Sequence, residues 1–304
     1  MENSIDLQIQ STASDGKHTP RDILEMAKEL HLQVIALTDH DTVAGVPEIL
    51  AAASHSGVRV IPGIELSVEE RGTHILGYGI DYNNPALLAS LEESRKGREA
   101  GARQMVENLK RAGFVVEWDD VVREATGAVV ARPHLARGVL HRPENKEKLG
   151  GIATVYDFIQ KYLTDESPLY VKRTHISAKD AIALIHGAGG VAVWSHPAIH
   201  FKDNYEGLEE FLKELIGWGL DGMEVCNPSH DEDDVEFVQS LTVKYNLLRT
   251  AGSDFHEKAT SPRSGEGKHS AAHLGDFETY GFSTEDSISR LDAAIAARRV
   301  ATTK

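Results

Sequence analysis

Short β-branched runs alternate with amphipathic stretches along most of the chain, the pattern of strands and helices that wind into a parallel sheet. Ile5 to Gln10 reads as a strand. Thr19-Pro20-Arg21-Asp22 reads as a helix start, with Thr at the cap, Pro at the first helical position and an acid meeting the dipole, and the helix runs to about Leu30. Val34 to Leu37 is a short buried-type strand ending at Thr38-Asp39-His40-Asp41. Ala44 to Ser56 is helical and Gly57 stops it. Val58 to Pro62 gives another strand, Ile64 to Val68 extends it past Gly63, and Thr73 to Ile80 adds one more.

From about Pro85 to Thr164 the pattern turns helical and charged, with Glu92, Glu93, Arg95, Lys96, Arg98 and Glu99 on solvated faces. Alternation resumes after Tyr170. Ser177-Ala178-Lys179-Asp180 caps a helix, Val191 to Trp194 is a strand, a helix starts at Tyr205, Gly222 to Cys226 is a strand, a helix starts at Asp231, and Leu247 to Ala251 is a strand. Ser261 to Gly275 reads as a loop, and Ser283-Thr284-Glu285-Asp286 starts a last helix to about Arg299. The division expected is one α/β barrel made of residues 1–84 and 165–304, interrupted by a helical insertion at 85–164.

Composition narrows the class. A chain of 304 residues with 41% hydrophobic and 26% charged residues has a globular protein's proportions. No apolar run approaches a membrane span, and Met1-Glu2-Asn3-Ser4 lacks a signal peptide's basic start, so the expected location is cytoplasmic. Cys226 is the single cysteine, which excludes an internal disulfide and a thiolate zinc site. The formal charge of −15 argues against tight binding of long nucleic acid, which needs a basic stripe. Fifteen histidines in such a chain raise the question of which are ligands.

In α/β barrels the chemistry lies at the C-terminal ends of the strands. The residues there are Gln8 and Gln10, His40, Glu65, His74, His196, and Asp254 with His256; Asp15 lies in the loop after the first strand. Singly, each has a plainer reading: Thr38-Asp39-His40-Asp41 as a capped turn, Glu65 as an ion-pair partner, His74 as a hydrogen-bonded core residue. Together they deliver carboxylates, imidazoles and amides from separate segments to one rim, which a polynuclear metal site requires.

The ordered set Ser14-Asp15-Gly16, Thr38-Asp39-His40-Asp41, Gly63-Ile64-Glu65, His74-Ile75-Leu76-Gly77, Arg132-Pro133-His134, Ser195-His196-Pro197 and Gly252-Ser253-Asp254-Phe255-His256 resembles the PHP family, named for polymerase and histidinol phosphatase domains. The likeness covers nearly the whole chain and is strongest to stand-alone members that hydrolyse nucleotide phosphates, among them 3′,5′-bisphosphates and AMP. It implies a distorted (β/α)7 barrel, a helical insertion over the active site, and two or three divalent metals of the Mn, Fe, Zn or Mg type. Carried over by position, one metal takes Gln8, Gln10, Glu65 and Asp254, a second takes Glu65, His74 and His196, and a third takes Asp15, His40 and His256. Arg132 and His134 then face the substrate phosphate as catalytic and binding residues. Lys172 and Arg173, just after the insertion, read equally as substrate-phosphate contacts or as solvated cations.

The first motif departs from the family's Asp-x-His-x-His-Ser form, reading Asp6-Leu7-Gln8-Ile9-Gln10-Ser11. Strand residues two apart share a face, so both glutamines point the same way, but each offers an amide oxygen where an imidazole nitrogen is expected. Such an oxygen suits Mg, Ca or Mn better than Zn or Fe. The expected function is hydrolysis of a phosphate monoester of a small nucleotide, impaired by Gln8 and Gln10. The alternatives are a degenerate member that binds nucleotide without turnover and a 5′-3′ exoribonuclease acting on short RNA.

Overall fold

The computed structural model describes residues 4–125, 130–164, 166–171, 175–202, 204–257 and 273–302. Lys172, Arg173 and most of the expected 261–275 loop lie outside these residues. The chain divides into two compact units, one of residues 1–91 with 175–304 and the other of residues 92–174.

The first unit opens with β1 (Ile5–Asp6), α1 (Pro20–Glu29), β2 (Val34–Leu37), α2 (Val46–Ala53), β3 (Arg59–Ser67) and β4 (His74–Tyr78). Helix α3 (Pro85–Arg111) begins there and runs on into the second unit, which adds α4 (Trp118–Glu124), α5 (Arg132–Leu140), α6 (Lys146–Leu149) and α7 (Val155–Tyr162). The first unit then resumes with α8 (Ala178–Gly187), β5 (Val191–Trp194), α9 (Tyr205–Gly217), β6 (Gly222–Cys226), α10 (Glu232–Lys244), β7 (Leu248–Ala251) and α11 (Ser287–Thr302).

The seven strands pair in chain order, β1 to β7. Closure comes just beyond the named strands: Leu7 N–H donates to the Ala251 carbonyl at 3.1 Å, Gln10 N–H to the Phe255 carbonyl at 2.9 Å, and Ile9 bridges Phe255 in parallel. The result is a nearly closed seven-stranded α/β barrel. Pairing is parallel except that β4 runs antiparallel to both β3 and β5, so the uniform parallel winding expected from the alternation breaks at one strand.

Local chemistry starts the helices where the sequence reading puts them. Thr19 and Asp22 form a reciprocal capping box on α1, Asp231 and Asp234 another on α10, and the Ser177 side chain caps α8. Several boundaries differ. The first strand ends at Asp6 rather than Gln10, because the Gln8 N–H turns to the Asp6 side chain at 3.3 Å and Ile9 N–H to the Thr38 hydroxyl at 3.0 Å, outside any ladder. Helix α2 is shorter at both ends, and α11 starts at Ser287, after a turn at Glu285 and Asp286 that the Ser287 N–H closes on the Thr284 carbonyl at 3.1 Å.

Inside the barrel, Ile5, Leu7, Ala36, Ile61, Leu76, Tyr78, Val191, Val193 and Leu248 form one apolar layer, covered by Leu291 and Ile295 of α11. A separate core packs the surrounding helices, with Ile182, Ile185, Leu212, Leu215 and Val238 against the outward residues of the sheet. With one end filled by apolar side chains, buried polar residues collect at the other. The helical unit has its own core around Leu109, Phe114, Val121, Leu135 and Phe158.

Candidate metal centre

Glu65 is the hub of the polar end. It lies on β3, fully buried, with His40 bridging to it from the end of β2. The antiparallel β4 puts His74 opposite Ser67, so His74 and Glu65 are diagonal neighbours on one face. His74 Nδ1 lies 2.9 Å from Glu65 Oε1, and His196 Nε2 lies 3.4 Å from the same oxygen. His40 Nδ1 is 3.8 Å from Glu65 Oε2. The imidazoles form a chain, with ring centroids 5.3 Å apart for His74 and His196, 5.0 Å for His40 and His74, and 5.8 Å for His40 and His256.

The loop residues are held in unusual backbone conformations. His196 has φ +29° and Asp254 φ +50°, the left-handed region that costs a side chain about 1–3 kcal/mol and recurs at functional sites. The His196 N–H donates to Glu224 Oε2 at 2.9 Å, fixing the turn after β5. His256 Nδ1 sits 2.8 Å from the Asp254 carbonyl, which can only accept. A proton is therefore on Nδ1, and Nε2, 3.5 Å from Asp15 Oδ1, is the ring nitrogen left to hold a cation.

Electrostatics add a need for positive charge. Burial would raise the Glu65 carboxyl, but His40, His196 and His74 outweigh it and hold it well below the usual carboxylate range. Burial, then the Glu65 charge, raises Asp254. Burial pushes Glu224 up, with Asp254 and Glu65 adding to it, and pushes His196 down to about 4. His40 and His256 are raised: burial works against this, but Glu65 and Asp15 act on His40 and Asp254 and Asp15 on His256.

Two sets of these side chains fit divalent cations. Asp15, His40 and His256 offer ligand atoms within 4.8 Å of one another, and so do His40, Glu65 and His74. His74 Nδ1, His196 Nδ1, Asp254 Oδ1 and Gln10 Oε1 are buried at this end without an aligned hydrogen-bond partner, which leaves each open to a cation.

The glutamines fit less well. Gln8 Nε2 donates to Glu65 Oε2 at 3.1 Å and Gln10 Nε2 to the same oxygen at 2.8 Å, so amide nitrogens rather than oxygens face the hub. Both side chains do converge there, as the shared-face reading expects, although the stretch is not a regular strand. Gly252 is required beside them, since a Cβ at that position would lie 2.6 Å from Gln8 N and Cβ.

Arg132 and His134 belong to the helical unit, at the start of α5. Arg132 Nη1 donates to the Leu163 carbonyl at 3.2 Å and its guanidinium lies 4.9 Å from the centre of the Tyr170 ring. His134 Nδ1 accepts the Ala131 N–H at 3.0 Å, closing the first turn of the helix.

Three residues of the pocket escape the sequence reading. Ser195 bridges Gln8 and Glu65, and Glu224 and Asn227, both buried, hold His196 and Gln8. A signal for the last two exists: Glu224 is an acid inside the otherwise apolar Gly222-Met223-Glu224-Val225-Cys226, and Asn227 directly follows that strand.

These features define an α/β barrel protein whose polar end gathers imidazoles and carboxylates able to hold divalent cations. The chain belongs to the PHP domain family, whose profile matches residues 6–225. It is 34% identical over 276 residues to the 3′,5′-nucleoside bisphosphate phosphatase of Chromobacterium violaceum, covering 90% of this chain and 92% of that protein. It is 31% identical over 258 residues to a 5′-3′ exoribonuclease of Haemophilus influenzae, covering 84% and 91%. A candidate metal-dependent phosphoesterase of Bifidobacterium adolescentis, of known structure, superposes with a TM-score of 0.73 at 26% identity over 95% of this chain and 96% of that one.

Proposed function

We propose that the protein is a metal-dependent phosphoesterase that removes a phosphate from a small nucleotide, a nucleoside 3′,5′-bisphosphate before other substrates. The observation that carries this reading is the convergence of His74, His196 and His40 on the Glu65 carboxylate, beside the Asp15, His40 and His256 set. The similarity to the Chromobacterium violaceum phosphatase over 90% of the chain supports the substrate class.

Divalent cations held by these residues would supply positive charge for the phosphate oxygens and a lowered pKa for attacking water. The chain's own residues do the rest. Glu65 holds negative charge in a buried place, and a cation beside Asp254 would favour its charged form too, so the centre draws cations and, through them, an anionic substrate into an acidic protein. Arg132 supplies a planar fork for phosphate, and His134 orients the phosphate or protonates the leaving oxygen. Both roles follow from the likeness of Arg132-Pro133-His134 to the PHP family's pattern.

The similarity to the Haemophilus influenzae exoribonuclease favours a second reading, with short RNA as substrate. Both are tested by phosphate release from adenosine 3′,5′-bisphosphate and AMP, run beside mononucleotide release from a short 5′-phosphorylated RNA, with Mn2+ present. Turnover of the bisphosphate at the highest kcat/KM is the expected result. Turnover of the RNA alone would replace the first reading with the second, and substrate binding with no product from any of them would make the protein a non-catalytic binder.

A further inference from the structure

Glu65 is held differently on its two oxygens. Oε1 lies by His74 Nδ1 and His196 Nε2 and accepts the Ser195 hydroxyl at 3.2 Å. Oε2 receives two amide N–H groups, from Gln8 at 3.1 Å and Gln10 at 2.8 Å. An amide nitrogen has no lone pair to give a cation, and its hydrogens carry positive partial charge. A cation placed against Oε2 from that side would face donors.

The orientation of Gln8 is fixed from outside the pocket. The Ser229 backbone N–H, which can only donate, lies 3.0 Å from Asn227 Oδ1, and the Ser229 hydroxyl donates to the same oxygen at 2.7 Å. Asn227 must then turn Nδ2 inward, where it donates to Gln8 Oε1 at 3.1 Å and to Glu224 Oε2 at 3.0 Å. With its oxygen occupied by Asn227, Gln8 presents Nε2 to Glu65 and to Ser195 Oγ at 2.9 Å. Flipping Gln8 would set oxygen against a carboxylate and nitrogen against nitrogen, losing the hydrogen bonds to Glu65 and from Asn227 in a fully buried place.

We propose that Gln8 and Gln10 form a neutral amide clamp that occupies the place of one cation, so that the chain holds two divalent ions rather than three. Glu65 gives only Oε1 to metal, together with His74 and His196, while Asp15, His40 and His256 hold the other ion. Asn227 is a positioning residue: it acts on the centre by setting the polarity of Gln8. The inference rests on the reading of this pocket as a metal centre, but it is measured by metal content rather than by turnover.

The test is elemental analysis of the full chain, loaded with excess Mn2+ and desalted, beside Gln8→His/Gln10→His with its fold checked by circular dichroism. Two manganese ions per wild-type chain and three in the double variant are expected. Three in the wild type, or two in a folded double variant, would overturn the clamp and leave the metal centre standing. No manganese in either would overturn the metal centre itself, and the clamp with it. If the double variant does not fold, anomalous diffraction from Mn2+-soaked wild-type crystals decides: peaks beside His74 and His256 with none at ligand distance from Gln8 or Gln10 support the clamp, and a peak on Gln10 Oε1 refutes it.

Discussion

Glu65 and His74 come from strands that run in opposite directions, yet His74 Nδ1 rests 2.9 Å from Glu65 Oε1. The antiparallel register opposes His74 to Ser67, two residues from Glu65, and residues two apart point to the same face. Because Glu65 also gathers His196 and His40, Glu65→Ala should release metal and lower kcat/KM by more than about a hundredfold, beyond the loss typical of outer-shell partners. Mn2+ titration and steady-state kinetics on the same preparation measure both. Full metal content in the variant would remove Glu65 from the centre.

Glu224 acts one layer behind. Its Oε2 accepts the His196 N–H at 2.9 Å and the Asn227 amide at 3.0 Å, and burial raises its pKa well above the usual range, which favours the neutral acid. A neutral acid is close to an amide in shape and charge, so Glu224→Gln should cost within about 1 kcal/mol, while Glu224→Ala leaves two buried donors unpaired and should cost about 2–4 kcal/mol. Urea unfolding of the two variants compares them directly. A larger loss for Gln than for Ala would show that Glu224 is ionised in the fold.

Arg132 is proposed above to bind phosphate rather than metal. Arg132→Ala should therefore raise KM for a bisphosphate about tenfold or more with manganese content unchanged, since a lost fork removes about 1.5–3 kcal/mol of charged hydrogen bonding. Kinetics beside elemental analysis give the split. An unchanged KM would transfer phosphate recognition to other cations.

The barrel was legible because strands such as Val191–Trp194 and helix caps such as Thr19 with Asp22 are local signals, and the structure places them where the pattern does. Two features depended on distant pairing and left no local trace. The reversed direction of β4 is set by its neighbours on both sides, since His74-Ile75-Leu76-Gly77-Tyr78 reads the same either way. The polarity of Gln8 is set by Ser229, more than two hundred positions away, through Asn227. Sequence placed both glutamines at the hub but not which end of each amide faces Glu65.

His196 makes the metal-free protein sensitive to acid. Burial lowers its imidazole from 6.5 to about 4, so the unfolded chain binds this proton more readily than the folded one. The stability from neutral His196 is complete above pH 6.5 and is lost as pH falls toward 4, a change of about 3 kcal/mol at most. Asp6 works the other way: burial raises it from 3.8 to about 6, and its contribution, present below 3.8, fades as pH rises through 6. His196→Asn should therefore leave a metal-free protein with a shallower loss of stability between pH 6.5 and 4 than the wild type. Urea midpoints at three pH values across that window report the difference, and parallel curves would mean that His196 is not titrating there.

Metal binding should expel protons from the opposite pair. Burial works against charge on His40 and His256, but Glu65 and Asp15 at His40, and Asp254 and Asp15 at His256, raise both imidazoles above their ordinary value. More of each is then protonated near neutral pH than in a free imidazole, and a cation needs the lone pair that the proton holds. Each bound ion at Asp15, His40 and His256 should displace about one proton, and affinity should tighten as pH rises through the raised values and weaken as it falls. Calorimetric titration of Mn2+ in two buffers of different ionisation enthalpy counts the protons directly. The same heat in both buffers would mean that the imidazoles are already neutral, and that Glu65, Asp254 and Asp15 hold them less strongly than their positions indicate.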